Sequence, residues 1–306
     1  MATTNATTSA DTVKRNAYEV ITDRIINQLE AGVIPWRKPW NVYGGRPALP
    51  MNLLSQKPYR GINQLLTGMS GYSSPFWLTY KQAASIGGHV NAGERSTPIC
   101  FWKIGKNEET DNVTGETVAK SWAFCRLYHV FNVAQCTLPI DLGSPAPLSP
   151  DFKPIDQCEA VIAGWSTRPP IKHGFDRACY LPLLDSIMLP KPEAFNSPEE
   201  YYSTAFHELT HSTGHKSRLN REGVAETHFF GDAVYSREEL VAEMGAAFLA
   251  GHCAIENRTI ENSAAYLQSW LKVLRADSKL IISAASAAQR AADLILGSAV
   301  ANKGAN

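Results

Sequence analysis

The segment His207-Glu208-Leu209-Thr210-His211 constrains this chain more than any other stretch. Residues four apart lie on one face of an α-helix, so both imidazoles can bind one metal ion. Glu208 would lie beside them and accept a proton from metal-bound water. This His-Glu-x-x-His spacing is the signature of zinc hydrolases. The sequence therefore predicts a metal centre on a helix, and the alternative is a helix whose two histidines cap it or fill a core.

The residues before the motif indicate where that helix begins. Ser197 suits the N-cap, Pro198 suits the first helical position, and Glu200 completes a capping box with Ser197. The run to His211 contains no helix breaker, and Gly214 is a suitable stop. We therefore expect the motif in the middle of a helix, where the four-residue spacing keeps both imidazoles on one side.

A catalytic zinc site needs a third protein ligand, which we expect from a second helix. That helix is predicted to begin at Ser236, which forms a capping box with Glu239. Glu243 follows one turn later among small and apolar residues, where a buried carboxylate is costly unless it meets a metal or a partner. Glu243 is therefore the preferred ligand. Glu239 and His215 stay as alternatives, although Gly214 argues against a helix that continues to His215.

Two histidines, one glutamate and a water would make a catalytic centre rather than a closed structural one. The chemistry indicated is amide hydrolysis, with Glu208 as the general base. Imidazole and carboxylate ligands favour Zn²⁺, with Mn²⁺ or another divalent metal as alternatives. Residues 178–189 suggest an edge strand above the cleft, which would bind an extended substrate by strand addition, but a plain packed strand is the simpler interpretation.

Composition indicates a soluble globular protein of one or two domains. The chain has 306 residues, of which 44% are hydrophobic and 19% charged, and no apolar run reaches the roughly 18 residues of a membrane span. The Thr- and Ala-rich first ten residues do not resemble a secretory signal. Six scattered cysteines without a Cys-x-x-Cys pair indicate free thiols in a reducing compartment. These features predict a cytoplasmic protein without membrane contact.

Charge is unevenly distributed along the chain, although the formal net charge is zero. No acidic residue occurs between Ala31 and Gly93, and basic residues alternate there with aromatic ones. Cations that follow a backbone and rings that stack on bases are the two parts of a groove for single-stranded nucleic acid. The alternative is that the rings form a core and the cations a solvated face. The candidate DNA-binding residues are Trp36, Arg37, Lys38, Trp40, Tyr59, Arg60, Trp77 and Lys81.

Hydrophobic periodicity and breakers predict an α+β fold with two domains. Residues 11–136 would form a mixed α/β domain that binds single-stranded DNA, and the proline-rich residues 137–154 a linker. Residues 155–296 would form a mainly helical domain with a small sheet. The predicted elements are helices over 11–30, 62–68, 79–87, 264–275 and 278–296, and strands over 98–104 and 122–133. The polar residues 105–116 between these strands are predicted to form a hairpin loop.

The order of these motifs resembles that of the ArdC-type antirestriction proteins, whose N-terminal domain also occurs in TraC-type primases. The matching segments are residues 34–40, 58–63, 77–83 and 131–135 in the first half, and 207–211, 213–215, 217–219 and 238–249 in the second. The resemblance implies a zincin-like metallopeptidase domain behind a domain that binds single-stranded DNA. It also implies a plasmid protein that protects incoming conjugative DNA from host restriction, with a host protein as candidate substrate. The alternative function is a DNA-binding shield whose metal site is structural or inactive.

Overall fold

The computed structural model describes residues 16–110, 117–142, 148–224, 233–257 and 263–298, and it confirms the α+β class. Within these residues there are eight α-helices and eleven strands. The helices are α1 Ala17–Glu30, α2 Ile62–Gly68, α3 Tyr80–Ser85, α4 Pro154–Gly164, α5 Pro198–Ser212, α6 Ala233–His252, α7 Ser263–Ala276 and α8 Leu280–Ile295. The strands are β1 Asn41–Tyr43, β2 Arg46–Ala48, β3 Met51–Asn52, β4 Phe76–Leu78, β5 His89–Val90, β6 Thr97–Thr110, β7 Thr117–Asn132, β8 Cys136–Thr137, β9 Ile171–His173, β10 Cys179–Leu181 and β11 Ser186–Leu189.

The largest sheet of the first half has the strand order β3-β4-β7-β6, and β1-β2 and β5-β8 form two-stranded sheets. Strands β3 and β4 are parallel, and the other two pairs are antiparallel. Strands β6 and β7 form a long ribbon whose pairing runs from Thr97 opposite Val130 to Thr110 opposite Thr117. The predicted loop over 105–116 was therefore too long, since β6 continues into it as far as Thr110, and residues 111–116 lie outside the described ranges.

The sheet of the second half has the order β10-β11-β9, which leaves β10 at an edge. Strand β10 is antiparallel to β11, and β11 is parallel to β9. The predicted edge strand within residues 178–189 is therefore present. Its Tyr180 hydroxyl donates to Asp185, and Arg218 donates to both of these side chains. This network ties the β10–β11 hairpin to the turn that follows α5.

Helix α5 carries the His-Glu-x-x-His motif and begins as predicted. The Ser197 hydroxyl accepts the backbone N–H of Glu200, and Pro198 occupies the first turn. The Glu200 carboxylate accepts from the backbone N–H of Asn196 rather than from that of Ser197. The helix ends at Ser212, so the motif lies in its second half with both imidazoles still on helical backbone.

Helix α6 begins at Ala233, about one turn before the predicted start. Ser236 is therefore inside the helix, where its hydroxyl meets that of Ser269 at 2.6 Å and does not cap. Close contact with α5 depends on Gly245, because a Cβ atom at this position would lie 2.4 Å from Thr210 Cγ2. The missing side chain lets the two helix backbones approach and brings the glutamates of α6 to the histidines of α5.

One large hydrophobic core joins the two halves of the chain. It contains Ile21 and Trp36 from the first half and Phe206 and Trp270 from the second, and all four side chains are buried. The Trp36 and Trp270 rings meet edge to face with centroids 5.4 Å apart. The Trp40 indole N–H donates to the carbonyl of Ile255 at 3.1 Å. Both halves are therefore held by shared apolar burial as well as by polar contacts.

The cysteine prediction was wrong for one pair. Cys100 of β6 and Cys125 of β7 form a disulfide, whereas Cys136, Cys158, Cys179 and Cys253 are free. The two cysteines are 25 residues apart in the sequence, and only the register of the ribbon brings them to neighbouring positions. Spacing in the sequence alone therefore did not indicate this pair. Among the helices that the structure describes, none is long and apolar enough to cross a membrane.

Replacement of Gly245 by alanine tests the α5–α6 contact. The added methyl group would meet the buried, β-branched Thr210, so we expect a loss of about 1–3 kcal/mol in the free energy of unfolding. Gly164→Ala is the matched control, because a Cβ atom at that helix end meets nothing within 4 Å. Thermal and denaturant unfolding of both variants measure the difference, and equal stabilities would contradict the proposed close contact.

Candidate functional site

Three side chains from α5 and α6 converge in a geometry suited to a metal ion. The Nε2 atoms of His207 and His211 lie 3.0 Å apart, and each lies 3.5 Å from an oxygen of Glu239. These three are a group of potential ligands whose donor atoms all lie within 4.8 Å of one another. A tetrahedral Zn²⁺ with bonds of about 2.0–2.1 Å would hold its ligands about 3.3 Å apart. The residues therefore fit a divalent metal.

A carboxylate lies behind each imidazole, on the ring nitrogen that faces away from the converging atoms. Glu243 lies 3.3 Å from Nδ1 of His207, and Glu238 lies 3.1 Å from Nδ1 of His211. A carboxylate there favours the tautomer with its proton on Nδ1, which leaves Nε2 as the ligand atom. Both histidines are thus oriented by partners on the same helix, α6.

Arg221 fixes the carboxylate behind His211. Its guanidinium donates to both oxygens of Glu238, at 2.6 and 3.1 Å, and to the carbonyl of Thr210 at 2.8 Å. The guanidinium therefore links α6 to the C-terminal turn of α5. Sequence reasoning missed Glu238 and Arg221, because no spacing rule connects residues on a loop and on a separate helix.

The buried charges of the cluster interact strongly. Burial lowers the pKa of His207, but Glu239 and Glu243 outweigh it and hold this pKa well above its usual value. Burial also opposes protonation of His211, yet Glu238 and Glu239 raise its pKa to about 9. Burial would raise the pKa of Glu239, but the two imidazoles lower it below its usual range. Three carboxylates around two imidazoles thus favour positive charge within the cluster. A bound divalent cation would supply that charge in place of the protons on the imidazoles.

Glu208 lies one residue beyond His207 and is buried at 7% exposure. Helix α5, which carries Glu208, packs against the edge strand β10. Glu208 is therefore on the same helix as both candidate histidine ligands, and this helix packs against an edge strand.

This geometry replaces Glu243 by Glu239 as the candidate third ligand. Sequence reasoning assigned Glu239 to a capping box at Ser236, but the earlier start of α6 leaves its carboxylate available to the histidines. Glu243 instead lies on the outer side of the His207 ring, 3.3 Å from Nδ1. The other alternative, His215, follows the end of α5 and contacts the Ser217 hydroxyl at 2.7 Å, outside the group of potential ligands.

The four aromatic residues proposed for base stacking are buried, which contradicts that role. Trp36, Trp40, Tyr59 and Trp77 expose 0%, 5%, 6% and 1% of their surfaces. Trp36 and Trp40 contact the second half of the chain, whereas Tyr59 and Trp77 belong to a small cluster with Ile99. With so little surface exposed, these side chains serve mainly to stabilise the fold.

The basic residues of the same prediction all lie at the surface. Arg37, Lys38, Arg60 and Lys81 are exposed. Lys38 lies 3.8 Å from Glu256, and Arg60 forms an ion pair with Asp293 of α8. Residues 31–93, which contain no acidic residue and are called the acid-free span below, thus contribute cations to the surface. Two of these cations, Lys38 and Arg60, also link the two halves of the chain.

Two protein families match the two halves of this chain. Residues 15–131 match the N-terminal domain of the anti-restriction factor ArdC, and residues 156–287 match a zincin-like metallopeptidase domain. A curated relative, the DNA primase TraC of Escherichia coli, is 37% identical over 301 residues, which are 93% of this chain but 27% of that relative. The chain thus spans about a quarter of TraC. The uncharacterised protein y4eC of Sinorhizobium fredii is 35% identical over 288 residues, which are 90% of each chain.

Two solved structures of the antirestriction protein ArdC from plasmid R388 share this fold. The metal-free form is 37% identical with a TM-score of 0.69, covering 92% of this chain and 97% of that one. The Mn(II)-bound form is 35% identical with a TM-score of 0.70, covering 94% and 100%. Fold and cluster therefore define a zincin-like domain with a site for a divalent metal. The chain belongs to the ArdC antirestriction family.

Glutamine substitutions test whether Glu239 or Glu243 is the third metal ligand. Glu239→Gln should abolish stoichiometric binding of Zn²⁺ and Mn²⁺, because it removes a ligand charge. Glu243→Gln should weaken binding by about 10–100-fold, because it removes only the group that orients His207. Elemental analysis and calorimetric titration of folded protein measure both effects. A larger loss with Glu243→Gln than with Glu239→Gln would restore Glu243 as the ligand.

Proposed function

We propose that this chain is an antirestriction protein that binds single-stranded DNA and hydrolyses an amide bond at a metal centre. The observation that carries the hydrolytic part is the convergence of His207, His211 and Glu239 next to the buried Glu208. The part that concerns DNA is supported by the family and by the surface cations of the acid-free span. Protection of incoming conjugative DNA from host restriction is the biological role that these activities would serve.

His207, His211 and Glu239 are the proposed ligands, and Glu208 is the proposed general base. A bound Zn²⁺ would lower the pKa of a coordinated water and polarise a carbonyl group, and Mn²⁺, which is bound in one solved relative, is the alternative. Glu208 accepts the proton of the attacking water and delivers it to the leaving amine. Glu238 and Glu243 keep both imidazoles in the tautomer that presents Nε2.

The edge strand β10 supports a peptide as substrate. Its outer side has no neighbouring strand among the described residues, so its backbone groups can pair with an extended chain. Helix α5, which carries Glu208, packs against this strand. A host protein is therefore the proposed substrate class, and the cytoplasm, where incoming DNA meets restriction enzymes, is the proposed location.

The Glu208→Gln variant tests whether hydrolysis serves antirestriction. It should retain metal and DNA binding, since the cluster of ligands stays intact, and it should lose protection by at least about 100-fold, as expected for loss of a general base. The measurement is the efficiency of plasmid transfer into restricting recipients relative to non-restricting ones. The exposed Glu222 provides the matched control, Glu222→Gln, which should behave as the wild type.

Full protection by folded, metal-bound Glu208→Gln protein would contradict the hydrolytic proposal for this function. The chain would then act as a DNA-binding shield with an inactive or structural metal site. Digestion of single-stranded and duplex DNA by purified restriction enzymes, with and without the variant, would measure such direct shielding.

A further inference from the structure

The β6–β7 ribbon has two faces with different surroundings. Side chains alternate across an antiparallel pair, so partners in the register share a face. On one face, Cys100 is buried in the large core, and Cys125 and Leu127 pack against that core. The other face continues outward from the small cluster that contains Ile99 and Val130. We call it the aromatic-basic face, and its members are Phe101, Lys103, Phe124, Arg126 and Tyr128.

The aromatic-basic face presents open rings next to cations. Phe101 is 47% exposed and Phe124 is 42% exposed, and Lys103 and Arg126 are also exposed. Phe101 meets the half-buried Tyr128 edge to face at 5.4 Å, and the Arg126 guanidinium lies 5.8 Å from the Tyr128 ring. No member of this face is acidic. It therefore combines exposed rings with positive charge, whereas the aromatic residues first predicted to stack on bases are buried.

A cavity of about 450 Å³ extends this face toward the acid-free span. Phe101 and Tyr128 line it together with Lys57 and Arg60, and none of its lining residues is acidic. Arg60 forms an ion pair with Asp293, whereas the side chain of Lys57 is exposed. Its volume lies within the range of small-molecule sites, so the cavity can accept a group such as a nucleobase.

We propose that the aromatic-basic face and the adjoining cavity bind single-stranded DNA. Unpaired bases stack on Phe101 and Phe124, Lys103 and Arg126 contact the backbone phosphates, and one nucleotide enters the cavity beside Lys57. Stacking on exposed rings requires bases with free faces, which a duplex does not offer along its length. This assignment rests on the proposed DNA-binding function and gives that function a location.

Alanine variants of the two exposed phenylalanines test the stacking. Phe101→Ala and Phe124→Ala should each weaken binding of a fluorescein-labelled oligothymidylate by about 5–150-fold, as expected for loss of one stacked base. Trp102→Ala is the matched control, because Trp102 is 44% exposed on the opposite face of the same ribbon, near Tyr18. Fluorescence anisotropy of full-length, metal-loaded protein gives the affinities, and thermal unfolding shows that each variant is folded.

Variants of the basic members test the phosphate contacts independently. Lys103→Ala and Arg126→Ala should each weaken binding. Each variant should also make the slope of log affinity against log salt concentration shallower by about 0.7, because each lost phosphate contact on a single strand releases that many fewer counterions. A duplex of the same length should bind more weakly than the single strand.

The outcomes separate the location from the function. Wild-type protein that binds no single-stranded DNA would overturn both the location and the proposed DNA-binding function. If the wild type binds but the Phe101, Phe124, Lys103 and Arg126 variants bind equally well, the location is wrong and the function stands. Weaker binding by these four variants, with Trp102→Ala unchanged, supports the aromatic-basic face.

Discussion

The close approach of α5 and α6 is the constraint on which the metal centre depends. Gly245 offers no side chain where Thr210 presses against α6, and this lets a carboxylate from one helix reach imidazoles on the other. A buried cluster of three glutamates and two histidines is unfavourable unless its charges meet partners. The helix contact sets the distances at which those partners, and a metal ion, can satisfy one another.

Local rules in the sequence predicted the features that local structure determines. The four-residue spacing of His207 and His211 and the cap at Ser197 depend only on helical geometry, and the structure has both. The third ligand depends on where α6 begins. A plausible capping box at Ser236 concealed an earlier start, and the approach of the Glu239 carboxylate to the two imidazoles was consequently not foreseen.

Exposure of the aromatic residues depends on tertiary contacts that composition does not encode. A stretch rich in tryptophan and lysine is equally compatible with a binding groove and with the edge of a core. Trp36 and Trp40 pack against the second half of the chain, which no pattern within residues 31–93 indicates. Phe101 and Phe124 lie beyond that stretch, on a ribbon whose register alone shows that they share a face.

The core that joins both halves has a further consequence. Two contacts hold the two halves of the chain together: the Trp36 ring packs against Trp270, and Arg60 pairs with Asp293. The halves are therefore not independent domains joined only by a linker. A molecule with both proposed activities would, once bound to a strand of nucleic acid, hold its metal site at a set offset from that strand. Proteins bound to the same strand would then be the ones that reach the metal site. Their high effective concentration there would compensate for weak recognition of any particular peptide.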